Sequence, residues 1–126
     1  MEQHIARGNA LVVDDSPIVQ MVHKLFLEHE GYQVDIVDTA EKALELLENH
    51  YQLVLMDVNL PGINGIEATQ EIRRRERGIV HTPIIGITAA IAEKEKAQQC
   101  LSAGMDVVVG KPLTARQLTE LLQRWI

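Results

Sequence analysis

Residues 11–17 read LVVDDSP, an apolar run that stops in two adjacent acids with a proline two positions on. Such a run, without polar alternation, suits a strand covered on both faces. Asp15 or Ser16 ahead of Pro17 is a favoured helix start, because a side-chain oxygen accepts from the first free N–H groups and proline at the first helical position sacrifices no needed donor. The stretch therefore predicts a buried strand, a sharp exit and a helix. Capping explains at most one of the acids. Two carboxylates about 4 Å apart at an effective dielectric of about 20 repel by about 4 kcal/mol, so something must offset the repulsion of Asp14 and Asp15 or one of them must take up a proton.

The same pattern recurs along the chain. Val-rich or Ile-rich runs at 10–13, 34–37, 53–56, 84–87 and 107–109 are followed by helical periodicity over 17–30, 40–49, 66–77, 92–103 and 115–125. Five β–α units with continuous apolar strands predict a parallel sheet with helices on both faces. At 126 residues and 46% hydrophobic content the chain suits one domain. Residues 1–8 read as a loose lead-in and 9–126 as the domain.

Composition excludes several classes of function. A net charge of −6 argues against nucleic acid, whose phosphates need clustered Lys and Arg. The one basic cluster, Arg73, Arg74, Arg75 and Arg77, falls at a predicted helix end, where it complements the helix dipole. The lone Cys100 fits a reducing cytoplasm. No apolar stretch approaches the roughly 20 residues of a membrane span, so no membrane contact is expected. Histidines 4, 23, 29, 50 and 81 lack metal-ligand spacing.

In an open parallel sheet, ligands bind beyond the carboxyl ends of the strands. The residues found there are Asp14 and Asp15 after the first strand, Asp38 and Thr39 after the second, Asp57 after the third, Thr88 after the fourth and Lys111 after the fifth. Asp38 and Thr39 read as a cap of the second helix. The others bring three carboxylates, a hydroxyl and an ammonium to one edge. Carboxylate oxygens suit a hard cation such as Mg2+, which takes one or two carboxylates plus waters and a phosphate oxygen. In PGINGIE (61–67), Pro61-Gly62 and Asn64-Gly65 are turn dipeptides that keep the chain close to such an ion.

The motifs VVDDSP, LVLMDVNLPGINGIE, IIGITA and GKPL, in this order and spacing, resemble the receiver domain of two-component response regulators. The resemblance runs from about Asn9 to the C-terminus. It implies a flavodoxin-like, doubly wound α/β fold, (βα)5, with a five-stranded parallel sheet in the order 2-1-3-4-5. It implies that Asp57 accepts a phosphoryl group from a phosphohistidine on a histidine kinase or histidine phosphotransfer domain. Asp15 would ligate Mg2+ directly and Asp14 through water, with Asp57 and the Asn59 backbone carbonyl completing the protein's share. Lys111 would pair with Asp57 and then with the phosphoryl oxygens, which Thr88 and the Ala89 backbone would also bond. A cis Lys111–Pro112 peptide is also expected.

The chain departs from the family in two places. Three residues before Lys111, where many receivers carry Tyr or Phe, stands Val108, and Ala90 two positions past Thr88 is too small and apolar to orient an attacking water. The segment SAGMDVVVGKPLTARQLTELLQRWI (102–126) is more similar to receivers attached to hybrid histidine kinases than to those fused to DNA-binding domains. Rival functions fit less well: Asp14 and Asp15 would repel an FMN phosphate, and the G-x-x-x-x-G-K-[ST] loop is missing. A phosphatase with an Asp nucleophile would turn over external esters. A receiver-shaped interaction module that is not phosphorylated remains the main alternative.

In the first predicted helix, PIVQMVHKLFLEHE, the residues Val19, Val22, Phe26 and Leu27 gather on one side, and Ile18, Met21 and Leu25 widen the apolar arc beyond the roughly 100° that a core needs. That flank is expected to dock the helical partner.

Overall fold

The computed structural model describes residues 7–125. Its elements are β1 (Gly8–Val13), α1 (Pro17–His29), β2 (Tyr32–Val37), α2 (Ala40–Leu46), β3 (Leu53–Asp57), α3 (Gly65–Glu76), β4 (Ile84–Thr88), α4 (Lys94–Ala103), β5 (Val107–Gly110) and α5 (Ala115–Trp125). The sheet has the order β2-β1-β3-β4-β5 with every neighbouring pair parallel. This is the expected doubly wound topology. No helix among the described residues is long and apolar enough to cross a membrane.

The central strands show why their sequences are continuously apolar. Leu11, Val13, Val54 and Met56 pack with Ala43, Leu44, Ala68, Ile72 and Cys100 of α2, α3 and α4. Their chain neighbours Val12, Leu53 and Leu55, with Ile85 and Ile87, pack with Leu27, Leu118 and Leu122 of α1 and α5. Each strand feeds two cores at period two, and each fully buried aliphatic side chain stabilises the fold by about 1.5–3 kcal/mol. The edge strand β2 carries exposed Gln33 and Asp35 instead.

Several boundaries differ from expectation. Helix α2 stops at Leu46 and not at residue 49, because Glu48 N–H and Asn49 N–H reach back three residues, to Glu45 and Leu46, and the tail tightens into turns. Helix α4 starts at Lys94 and not at residue 92: Ala90 N–H is held by the Thr88 hydroxyl and Glu93 N–H by the Ala90 carbonyl, so residues 89–93 form a turn. Asp57 and Thr88 close their strands instead of following them. Gly8, placed in the lead-in, opens β1 opposite Tyr32; the rest of that lead-in, apart from Arg7, lies outside the described residues.

The arginine cluster also behaves differently. Three of its members do stand in the last turn of α3, but they meet carboxylates and carbonyls. Arg73 donates to Glu76 at 2.7 Å, to Asp106 at 3.0 Å, and to the carbonyls of Thr82 and Gly104. Arg74 and Arg75 both bond Glu71, and Arg77 ends the helix with a left-handed φ of 54°. Charge-assisted hydrogen bonds exceed the few tenths of a kcal/mol that a helix dipole offers.

Candidate phosphoacceptor site

The site forms where β1, β3, β4 and β5 end. Asp14 and Asp57 are buried and Asp15 is exposed. Three of their carboxylate oxygens, one from each, lie within 4.8 Å of one another. Asp14 is fixed from two sides: Ser16 N–H donates to Asp14 Oδ1 at 2.9 Å, and the Gln20 side-chain amide donates to the Asp14 carbonyl. Ser16, with its hydroxyl accepting from Val19 N–H, is the cap ahead of Pro17. The capping option left open between Asp15 and Ser16 thus falls to Ser16, and Asp15 keeps its carboxylate out of the cap.

Asp57 Oδ1 accepts from Asn59 N–H at 3.1 Å. Lys111 Nζ stands 3.3 Å from Asp57 Oδ1 and 3.5 Å from Asp14 Oδ2, so one ammonium faces two buried carboxylates. Burial pushes the Asp57 pKa above the usual carboxylate range, and the charge of Asp14 pushes the same way; the Asn59 N–H and Lys111 oppose them without cancelling the shift. Three carboxylates and one ammonium leave a net charge of about −2 at neutral pH, in a cleft of hard oxygen donors. Asp14, Asp15 and Asp57 could hold a metal ion, and a set of hard oxygen donors fits one such as Mg2+.

The surrounding loops explain the geometry. Gly65 is needed because a Cβ there would stand 2.3 Å from the Asp57 carbonyl oxygen. Its N–H donates to the Val58 carbonyl, and Asn64 and Glu67 form a capping box at the start of α3. Asn59 is exposed beside the site, as is Ala89, the first residue past β4. The Thr88 hydroxyl accepts from Ala90 N–H at 3.0 Å. Lys111 is joined to Pro112 by a cis peptide bond. Thr39 caps α2 while Asp38 pairs with Lys42, both away from the carboxylate cluster.

Helix α1 corrects one expectation. Val22, assigned to the core side, is exposed, and the inward position is taken by His23, buried beside Leu27. Burial lowers the His23 pKa, Asp14 opposes the lowering and Lys111 adds to it. Sequence reading missed His23 and Gln20, whose contacts come from the packing of α1 on β1. Ile18, Met21 and Leu25 are exposed by 78, 63 and 58%.

Comparison with known proteins agrees with this geometry. The model of the response regulator receiver domain matches residues 10–123. The chain is 38% identical over 117 residues to two-component response regulator 24 of Arabidopsis thaliana, covering 91% of this chain and 81% of that protein. It is 35% identical over 118 residues to the aerobic respiration control sensor protein ArcB of Escherichia coli, covering 93% of this chain and only 15% of the sensor. Among solved structures, the receiver domain of sensor histidine kinase PA1611 from Pseudomonas aeruginosa is 37% identical, with a TM-score of 0.83 over 93% of this chain and 95% of that one. That structure has magnesium coordinated in its active-site cleft. The matched residues take in β1 from Ala10, the other four strands and every member of the carboxylate and lysine cluster, and the chain belongs to the response regulator receiver domain family.

Proposed function

We propose that Asp57 accepts a phosphoryl group from a phosphohistidine of a histidine kinase or histidine phosphotransfer domain, and that the chain thereby relays a two-component signal in the cytoplasm, as a receiver of the hybrid-kinase type. The observation that carries this is the cluster of three carboxylates, Asp14, Asp15 and Asp57, two of which, Asp14 and Asp57, are buried and face the Lys111 ammonium. In the transfer, an Asp57 oxygen forms the P–O bond as the P–N bond to imidazole breaks, and the bonding pair returns to the ring nitrogen. The transition state is loose, so the protein's part is to position groups and neutralise charge.

Each residue has one task. Asp57 must be ionised to attack, and Lys111 at 3.3 Å favours that form against the cost of burial. Lys111 then has the phosphoryl oxygens within reach as its new partners. The Thr88 hydroxyl turns to a phosphoryl oxygen, and the Ala89 backbone N–H bonds another. Asp14, Asp15, Asp57 and the Asn59 carbonyl would hold Mg2+, which supplies positive charge to the oxygens. Ile18, Met21 and Leu25 form the apolar centre of the partner's docking patch.

Acetyl phosphate with Mg2+ should add one phosphoryl group by intact mass, and Asp57→Asn should add none. Labelling that persists in the variant places the acceptor elsewhere. A wild-type chain that stays unlabelled under these conditions favours an interaction module that is not phosphorylated.

A further inference from the structure

On the side of the sheet covered by α2, α3 and α4, β5 has no side chain at Gly110. Val108 points to that side and packs with its core, and the alternation of the strand puts Gly110 there too. The space above Gly110 is taken by Ile91, which descends from the turn between β4 and α4. A Cβ on Gly110 would stand 2.7 Å from Ile91 Cγ2 and 3.2 Å from Ile91 Cβ. The seat exists because the strand is bare at this position.

The seat closes a ring of contacts around Thr88. Gly110 is the register partner of Thr88, and Lys111 N–H donates to the Thr88 carbonyl at 2.9 Å. The Thr88 hydroxyl holds Ala90 N–H, and Ile91, the next residue, returns to Gly110. Thr88 is thus bound to β5 through its carbonyl and to the turn through its hydroxyl, while Ile91 fastens the turn to β5. Ile91 is 42% exposed, so leaving the seat uncovers only part of a side chain that already meets water.

We propose that Ile91 is a positioning residue for Thr88 and the latch of the β4–α4 turn; this rests on the phosphoacceptor role of Asp57. When the Thr88 hydroxyl turns to a phosphoryl oxygen, Ala90 N–H loses its acceptor, and Ile91 on Gly110 is left as the contact that fastens the turn to β5. Release of that seat carries the phosphoryl state into the first turn of α4. The device needs no aromatic side chain at Val108, since the apolar moving part is on the turn instead of the strand.

The test is amide hydrogen exchange over residues 89–97 in Mg2+, with and without acetyl phosphate, for the wild type, Ile91→Ala and Ile91→Val, with intact mass read on the same samples. All three should take up the phosphoryl group equally. In the wild type, phosphorylation should speed exchange at Ala90. Without phosphorylation, Ile91→Ala should already exchange the Ala90 amide about tenfold faster, the factor matching a half-buried aliphatic side chain, and phosphorylation should add nothing. Ile91→Val keeps methyl groups for the seat and should behave as wild type. Wild-type protection and response in Ile91→Ala, or an Ile91→Val as loose as Ile91→Ala, overturns the latch while leaving the phosphoacceptor role standing. A wild type that takes up no phosphoryl group overturns both.

Discussion

A carboxylate as enclosed as Asp57 costs the fold free energy at neutral pH unless a cation meets it. Its pKa is raised, first by burial and then by Asp14, so between the unfolded and folded values the folded state holds a proton that the unfolded chain has lost. The stability from that proton is complete below the unfolded value and is lost as pH rises through the raised folded one. Asp57 should therefore contribute less to the stability of the metal-free protein as pH rises above about 4, against the opposite contribution of the lowered carboxyls of Glu71 and Glu76. Asp57→Asn should remove that contribution from the pH dependence and leave the metal-free protein more stable than the wild type at neutral pH. Urea unfolding in a chelator reads both effects, and an unchanged slope in the variant assigns the titration to another group. Asp15 is exposed and unburdened by the fold, so Asp15→Ala should weaken Mg2+ binding at least about tenfold by calorimetric titration, without loss of metal-free stability, because repulsion from Asp14 goes with it. Equal Mg2+ affinity would remove Asp15 from the ion's holders. Asp14, Asp57, Thr88 and Lys111 were legible in sequence because each stands where an apolar run ends. Gln20 and His23 were not, since their contacts depend on how far α1 is rotated against β1.

Among the elements, α3 shows how local pattern and tertiary contact divide the work. Its amino end was legible in part: Asn64-Gly65 announced the turn into the helix, while the capping box of Asn64 and Glu67 was not read from the sequence. Its carboxyl end was read as dipole complementation, and the partners that decide it, Asp106 and the carbonyls of Thr82 and Gly104, come from other elements. Arg73 holds the starts of β4 and β5 together, since Asp106 also accepts from Ile84 N–H. Arg73→Ala leaves Glu76 and Asp106, both largely enclosed, without the guanidinium they share, Asp106 keeping only His81 at 2.6 Å as a side-chain partner. The loss should be about 3 kcal/mol in thermal unfolding. Labelling by acetyl phosphate should survive below the lowered melting point, because this network lies at the end of the sheet away from Asp57. A variant that unfolds as the wild type does would reduce the network to surface pairs.

At the scale of the whole molecule, the order of elements followed from alternation alone, and the strand order from the family resemblance. Sequence reading left the Ile18, Met21 and Leu25 flank of α1 in water, which is where it stands, but put Val22 in the core in place of His23, because the rotation of the helix depends on how the layers pack. That exposed flank has a functional outcome. Met21→Glu or Leu25→Glu should slow transfer from a phosphorylated protein donor about tenfold while leaving labelling by acetyl phosphate unchanged, measured by phosphoryl uptake over time. If both donors lose activity together, the flank serves the fold and not the partner. The position of β1 has a different kind of outcome. It lies between β2 and β3, buried on both faces, yet its partner Leu53 follows Ala10 by about forty residues. During synthesis β1 emerges first and waits, able to pair only with β2, its two apolar faces uncovered until β3 arrives. A nascent chain that ends short of β3 should therefore be sticky and need shielding by chaperones, and the interval before β3 emerges is the time in which this protein is most open to aggregation.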